Sequence, residues 1–213
     1  MRKYTIGYID ESSSEIRDFK RFAYKDFDIK DFAPLTNIDE LIQEILNAHV
    51  DAIIVDFDLK EENAEISYFG DEIIEKFLMI RQNFPVFVFT NHDEEATDHS
   101  KNIDIVIDKK EMSENPQKLL KKIRLKIEKY YKEIKEKEDR FFELLKKKNE
   151  ITLTDIEKNE LIDCDDFLEK SLNKRSAIKA YIKEEYSSDV NEMMKLLNKI
   201  DETILKVRTT ENE

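Results

Sequence analysis

The apolar residues of the first half of the chain change period repeatedly. Tyr4 to Asp10 alternates as a strand does, and Ser12 to Lys25 follows with Ile16, Phe19, Phe22 and Ala23 on one helical face, its serines placed to cap. Phe27 to Leu35 reads as a second strand that stops at Pro34. Asn37 or Asp39 can cap a helix over Ile38 to Ala48, where Leu41, Ile42, Ile45 and Leu46 recur at helical spacing. Asp51 to Asp56 is a short continuous apolar run ending in an acid, the pattern of a strand buried on both faces. A polar stretch, Lys60 to Ser67, precedes a helix over Gly70 to Phe84. Pro85 to Thr90 is a further buried strand, Asn91 to Asn102 a short polar helix, and Ile103 to Asp108 a fifth strand. The order βαβαβαβαβ predicts an α/β fold: a five-stranded, parallel, doubly wound sheet with helices on both faces.

Beyond Pro116 the period changes for good. Leu120, Ile123, Ile127, Tyr130, Ile134, Phe141 and Leu144 form a heptad seam interrupted across Lys137. A continuous helix over 117–148 would be ~48 Å long at 1.5 Å per residue, more than one face of a small sheet can cover. It should therefore start as the last sheet-covering helix and run on as a stalk. A break is expected near Asn149-Glu150. Thr154 then caps a further helix, with Glu157 at capping-box spacing and Ile156, Leu161, Ile162, Phe167, Leu168 and Leu172 as its apolar positions. Asn173 to Tyr186 continues the helical pattern. Val190, Met193, Leu197, Ile200, Ile204 and Val207 make a second seam after a start at Ser187-Ser188-Asp189. The predicted organisation is a sheet domain over 1–116, a long linking helix over 117–150, an all-α bundle or coiled-coil region over 151–208, and a frayed tail over 209–213. The two seams fit an antiparallel hairpin or bundle within the chain, or a coil between two chains.

Composition narrows the classes. Of 213 residues, 40% are hydrophobic, enough for a core, and another 40% are charged, with 2 Gly and 3 Pro, so the chain is rich in regular elements. One cysteine, Cys164, excludes a disulfide framework, and its acidic neighbours Asp163, Asp165 and Asp166 disfavour a thiolate nucleophile. Those acids also lack the glycine-bearing pattern of a calcium loop. His92 and His99 read as loop histidines. No apolar run approaches a membrane span, and Met1 to Tyr4 leads straight into a strand rather than a signal peptide, so a cytoplasmic protein is expected.

The net charge of −13 is uneven. Residues 1–110 carry 13 cationic and 25 acidic side chains (−12), residues 111–150 carry 13 and 9 (+4), and the remainder 10 and 15 (−5). This acidity argues against nucleic acid, and the basic stretch over 118–148 is interrupted by Glu and Asp as on a solvated helix. Tyr130-Tyr131 and Phe141-Phe142 read as packing residues.

In an open parallel sheet, ligands bind at the carboxyl ends of the strands. There the sequence places Asp10-Glu11, Asp56, Thr90 and Lys109. Three clustered carboxylates repel one another unless a hard cation joins them, which suits Mg²⁺. A lysine and a hydroxyl opposite them suit a phosphoryl group.

This set resembles the receiver domain of two-component response regulators. The resemblance covers roughly residues 3–128. It rests on Tyr8-Ile9-Asp10-Glu11, Val55-Asp56-Phe57-Asp58-Leu59, Phe89-Thr90 and Ile107-Asp108-Lys109, in that order and at family-like spacing. It implies that Asp56 is the phosphoacceptor for a histidine kinase or phosphotransfer protein. It also implies that Asp10, Glu11, Asp56 and the Phe57 carbonyl hold Mg²⁺, and that Lys109 and Thr90 engage the phosphate and report it. No enzyme activity beyond self-phosphotransfer and autodephosphorylation is implied. The sequence departs from the family at Lys110, where a proline is common, at Val106, where an aromatic switch is common, and at Asn91, where a small residue is usual. Its loop after Asp56 is also long and acidic, through Glu61, Glu62 and Glu65.

The tail shows neither a helix-turn-helix reader nor an enzymatic motif. Output through a downstream protein or through homodimerisation is the first reading. A pseudo-receiver scaffold that leaves the pocket unused is the second, and a DNA-binding regulator the third.

Overall fold

The computed structural model describes residues 3–60, 65–91 and 105–173. Five strands, β1 (Tyr4–Ile9), β2 (Phe27–Phe32), β3 (Ala52–Asp56), β4 (Val86–Thr90) and β5 (Val106–Asp108), form one sheet. Its order is β2-β1-β3-β4-β5 and every pairing is parallel. This is the flavodoxin-like doubly wound order, which reverses direction between β1 and β3.

The continuous apolar runs explain the two-sided burial. On β1, Ile6 and Tyr8 face one layer and Ile9 the other. On β3, Ala52 and Ile54 oppose Ile53 and Val55, and on β4, Phe87 and Phe89 oppose Val86 and Val88. One face is covered by α1 (Ser13–Ala23), through Phe19 and Ala23, and by the start of the long C-terminal helix. The opposite face is covered by α2 (Ile38–Asn47), through Leu41, Ile42 and Ile45, and by α3 (Gly70–Ile80), through Ile73, Ile74 and Phe77. Each such fully buried side chain contributes about 2 kcal/mol.

Several boundaries differ from the expected ones. Ser12 precedes α1 but makes no side-chain cap; its hydroxyl pairs with that of Ser14 instead. Asn37 does cap α2, accepting the Asp39 N–H at 3.0 Å. β2 stops at Phe32 rather than Leu35, and α3 at Ile80 rather than Phe84, because Arg81 turns extended and Asn83 takes a positive φ of 61°. β5 has only three residues. A one-turn helix, α4 (Glu111–Glu114), was not anticipated. The polar residues 61–64, the helix expected within 92–102, His92, His99, and the segments beyond Asn173 with their second seam and frayed tail lie outside the described residues.

The long helix α5 (Pro116–Glu150) begins with proline, which suits a first helical position, and is ~52 Å long. The predicted seam changes partner along it. Leu119, Leu120, Ile123 and Ile127 pack on the sheet. At the lower sheet edge Tyr131 donates to the buried Asp51 carboxylate at 2.5 Å, whose other oxygen takes the Thr5 N–H at 2.7 Å. Leu144 and Leu145 are buried farther out, where the helix runs past the sheet. The break falls at Ile151, one residue later than expected.

Thr154 and Glu157 form the anticipated capping box of α6 (Asp155–Asn173). Arg140 grips Glu160 through two nitrogens at 2.9 and 2.7 Å, and Lys147 pairs with Glu157. Position numbers rise on one helix as they fall on the other, so α5 and α6 form an antiparallel hairpin within the chain. The returning end of α6 reaches the sheet domain. Tyr130 donates to the Ser171 carbonyl at 2.8 Å, and the Gln82 N–H to the Lys170 carbonyl at 2.8 Å. Cys164 is buried in the hairpin, and burial raises its thiol pKa, in keeping with an inert packing role.

Gly70 is the tightest point. A Cβ there would lie 2.0 Å from the Asp56 carbonyl oxygen and 2.9 Å from a Val55 methyl. Gly70→Ala should destabilise the fold by about 1–3 kcal/mol, as overpacking does. Chemical denaturation would show it as a lower midpoint with unchanged slope.

Candidate functional site

The carboxyl ends of β1, β3, β4 and β5 meet at one rim. Asp10 follows β1, Asp56 ends β3, Thr90 ends β4, and Lys109 follows β5; all four are buried. The Lys109 ammonium lies 2.7 Å from Asp56 Oδ1, 3.5 Å from Asp10 Oδ2 and 3.4 Å from Glu15 Oε2. The Lys109 backbone N–H donates to the Thr90 carbonyl at 2.8 Å, which fixes the loop that carries it beside β4. The register that sets Asp56 opposite Phe89 brings Thr90 one residue beyond, at the same rim.

Asp10 is held at both oxygens. Oδ1 accepts the Ser12 N–H at 2.8 Å and Oδ2 accepts the Tyr8 hydroxyl at 2.9 Å. Glu11 sits beside it with one carboxylate oxygen, Oε2, buried and without a hydrogen-bond partner. Phe57 donates its N–H to the Phe89 carbonyl, and its own carbonyl accepts the Gly70 N–H at 2.9 Å. Its ring stacks on Phe69 at 5.0 Å, and the Lys60 ammonium lies 3.3 Å from the centre of the Phe69 ring. The loop after Asp56 is thus anchored by aromatic packing on both sides of residues 61–64.

The charges strain against one another. Burial pushes the Asp56 carboxyl up, Lys109 pulls it back, and Asp10 and Asp58 push it up again, leaving it at about 6. Burial likewise raises Glu11, to about 7, with Asp10 and Asp56 adding to the rise. Burial would lower Lys109, but Asp56, Asp10 and Glu15 outweigh it and hold the ammonium above its ordinary value. Burial and the Asp10 charge keep the Tyr8 hydroxyl neutral, far above its usual range.

Among the described residues no group of three or more His, Cys, Asp or Glu side chains is arranged to hold a metal ion as it stands. The donor chemistry still fits a hard divalent cation. Asp10, Glu11 and Asp56 offer carboxylate oxygens close to one another at the rim, and Glu11 Oε2 is buried with no hydrogen-bond partner.

Asp10, Asp56, Thr90 and Lys109 come together as the sequence predicts. Tyr8 and Glu15 had no expected role there. Strand alternation puts Tyr8 on the Asp10 side of β1, and the first turn of α1 brings Glu15 to the rim; those two spacings were the available signals. The departures from the receiver pattern also have structural counterparts. Asp108 accepts the Lys110 N–H at 2.8 Å and pairs with its ammonium at 3.3 Å, bracing a loop that lacks proline. Val106 is half-buried against the α2–α3 layer, and Asn91 is exposed.

No family model and no curated protein matches the chain. Similar solved structures include the BeF3-activated DrrB receiver domain, at 17% identity over 60% of this chain and 99% of that one, with a TM-score of 0.45. A response regulator receiver protein from Sinorhizobium medicae WSM419 shares 15% identity over 60% and 96%, with a TM-score of 0.47. A response regulator receiver domain protein from Clostridium thermocellum shares 16% over 59% and 95%, with a TM-score of 0.41. These neighbours are response regulator receiver domains. The C-terminal hairpin of this chain is helical, and no helix among the described residues is long and apolar enough to cross a membrane.

The raised carboxyls set an unusual pH response. A carboxyl whose folded pKa exceeds its unfolded value binds protons more readily in the fold, so stability rises as pH falls through the folded value. For Glu11 and Asp56 that window runs from about 7 down to their unfolded values near 4. Asp31, Glu157 and Glu160 are held low by Lys20, Lys147 and Arg140, and their contribution is lost only at still lower pH. In metal-free buffer the thermal midpoint should therefore rise between pH 7.5 and about 5 and fall below about 4. Glu11→Gln should flatten the upper part of that rise.

Proposed function

We propose that the chain is a cytoplasmic receiver-type signalling module that takes a phosphoryl group on Asp56 from a phosphohistidine of a histidine kinase or phosphotransfer protein. The observation that carries the reading is the Lys109 ammonium, 2.7 Å from Asp56 and within 3.5 Å of Asp10, in a buried rim shared with Thr90.

In this reading an Asp56 carboxylate oxygen attacks phosphorus in line. The O–P bond forms as the P–N bond of the phosphohistidine breaks, and the imidazole leaves with the electron pair and takes up a proton. Mg²⁺ held by Asp10, Glu11, Asp56 and the Phe57 carbonyl would neutralise charge on the moving phosphoryl oxygens. Lys109, already paired with Asp56, stays to balance the acyl phosphate. In the same reading the Thr90 hydroxyl donates to a phosphate oxygen. With Val106 in the usual aromatic position, output falls to the α5–α6 hairpin and the residues beyond Asn173, by contact with a downstream protein or a second copy.

The departures at Asn91, Val106 and Lys110 favour one alternative, a pseudo-receiver scaffold. Intact mass after incubation with Mg²⁺ and acetyl phosphate separates the two. The receiver reading expects a gain of one phosphoryl group, abolished in Asp56→Asn. No gain, with either acetyl phosphate or a kinase, leaves the scaffold.

A further inference from the structure

We propose that Tyr8 is a positioning residue for the cation site: its hydroxyl fixes the Asp10 carboxylate and keeps Lys109 on Asp56. This rests on the receiver reading above. Tyr8 is fully buried in the layer between the sheet and α1. Its ring stacks on Phe19 at 4.3 Å and 7° and meets Phe89 edge-on at 6.5 Å, so the hydroxyl is delivered by a rigid body. Strand alternation puts Tyr8 and Asp10 on the same side of β1, and the hydroxyl reaches Oδ2 at 2.9 Å from beneath the rim.

An apolar side chain would fill this layer as well. The hydroxyl adds a desolvation cost that only its bond to Asp10 offsets. That bond has two effects at the rim. With Ser12 on Oδ1, it locks the plane of the carboxylate, which fixes the direction of the lone pair left for a cation. It also occupies Oδ2, where the other donor among the described residues is Lys109 at 3.5 Å, while Lys109 sits at 2.7 Å from Asp56. Without the hydroxyl, Oδ2 is left to the ammonium. Lys109 then moves toward Asp10, and the lysine competes with the cation for the same acid. Hydrogen-bond partners of metal ligands commonly carry a tenfold to hundredfold share of metal affinity.

The test compares wild type, Tyr8→Phe, Asp10→Asn and the double variant of the full chain. Mg²⁺ affinity is measured by titration calorimetry, and the initial rate of phosphorylation by acetyl phosphate as a function of Mg²⁺. Tyr8→Phe keeps the ring stack, and its thermal midpoint checks the fold. The expected result is a loss of roughly 10–100-fold in Mg²⁺ affinity. The initial rate of phosphorylation should need correspondingly more Mg²⁺ to reach its plateau, and Tyr8→Phe should change affinity by less than about twofold in the Asp10→Asn background. Unchanged affinity in Tyr8→Phe, beside normal binding by wild type, overturns the role of Tyr8 and leaves the receiver reading standing. An equal loss in both backgrounds overturns it too, since Tyr8 would then act on the fold rather than on Asp10. A wild type that binds no Mg²⁺ overturns both.

Discussion

The rim depends on one cation in a nest of acids. Among the described residues Lys109 is the positive charge set between Asp10, Asp56 and Glu15, and the buried carboxylates would repel one another without it. Its placement follows from the sheet. β5 is only three residues long, yet its pairing with β4 and the bond from Lys109 N–H to the Thr90 carbonyl deliver the ammonium across the end of β4 to β3. The compensation is incomplete, since Asp56 and Glu11 remain hard to ionise. A group that brings positive charge is therefore welcomed there.

Most of this was legible in the sequence because two periodicities carry it. The continuous apolar runs Ala52 to Val55 and Val86 to Phe89 read as strands covered on both sides, and each is followed by a residue now found at the rim. The Thr154–Glu157 box announced α6 by spacing alone. Other features escaped for physical reasons. β2 ends where its partner β1 ends, Phe32 opposite Ile9, and α3 ends where Arg81 turns extended ahead of the left-handed Asn83, features that no apolar pattern encodes. Tyr8 looked like one more strand residue, since its importance lies in a hydroxyl that meets Asp10 only once the strand is pleated. Glu15 was indistinguishable from the other acids of a charged helix.

The heptad spacing after Pro116 shows how one pattern serves several partners. A seam at steps of three and four needs only a neighbour on one side. Here that neighbour is first the sheet, under Leu120, Ile123 and Ile127, and later α6, beside Leu144. Lys137, where the seam lapses, lies over the ring of Phe167 at 5.8 Å, so the polar gap is filled by a cation and an aromatic face from the returning helix. The basic excess of this segment is partly taken up in the same way, by Glu157 and Glu160.

The two ends of α3 are both tightly seated. Gly70 is wedged beneath the Asp56 carbonyl with no room for a methyl group, and Arg81 and Gln82, just past the other end, bond the carbonyls of Ser171 and Lys170. The helix between is a strut of ~16 Å with no internal joint. The backbone at Asp56 and the mooring of the hairpin are thus the two ends of one unbroken helix.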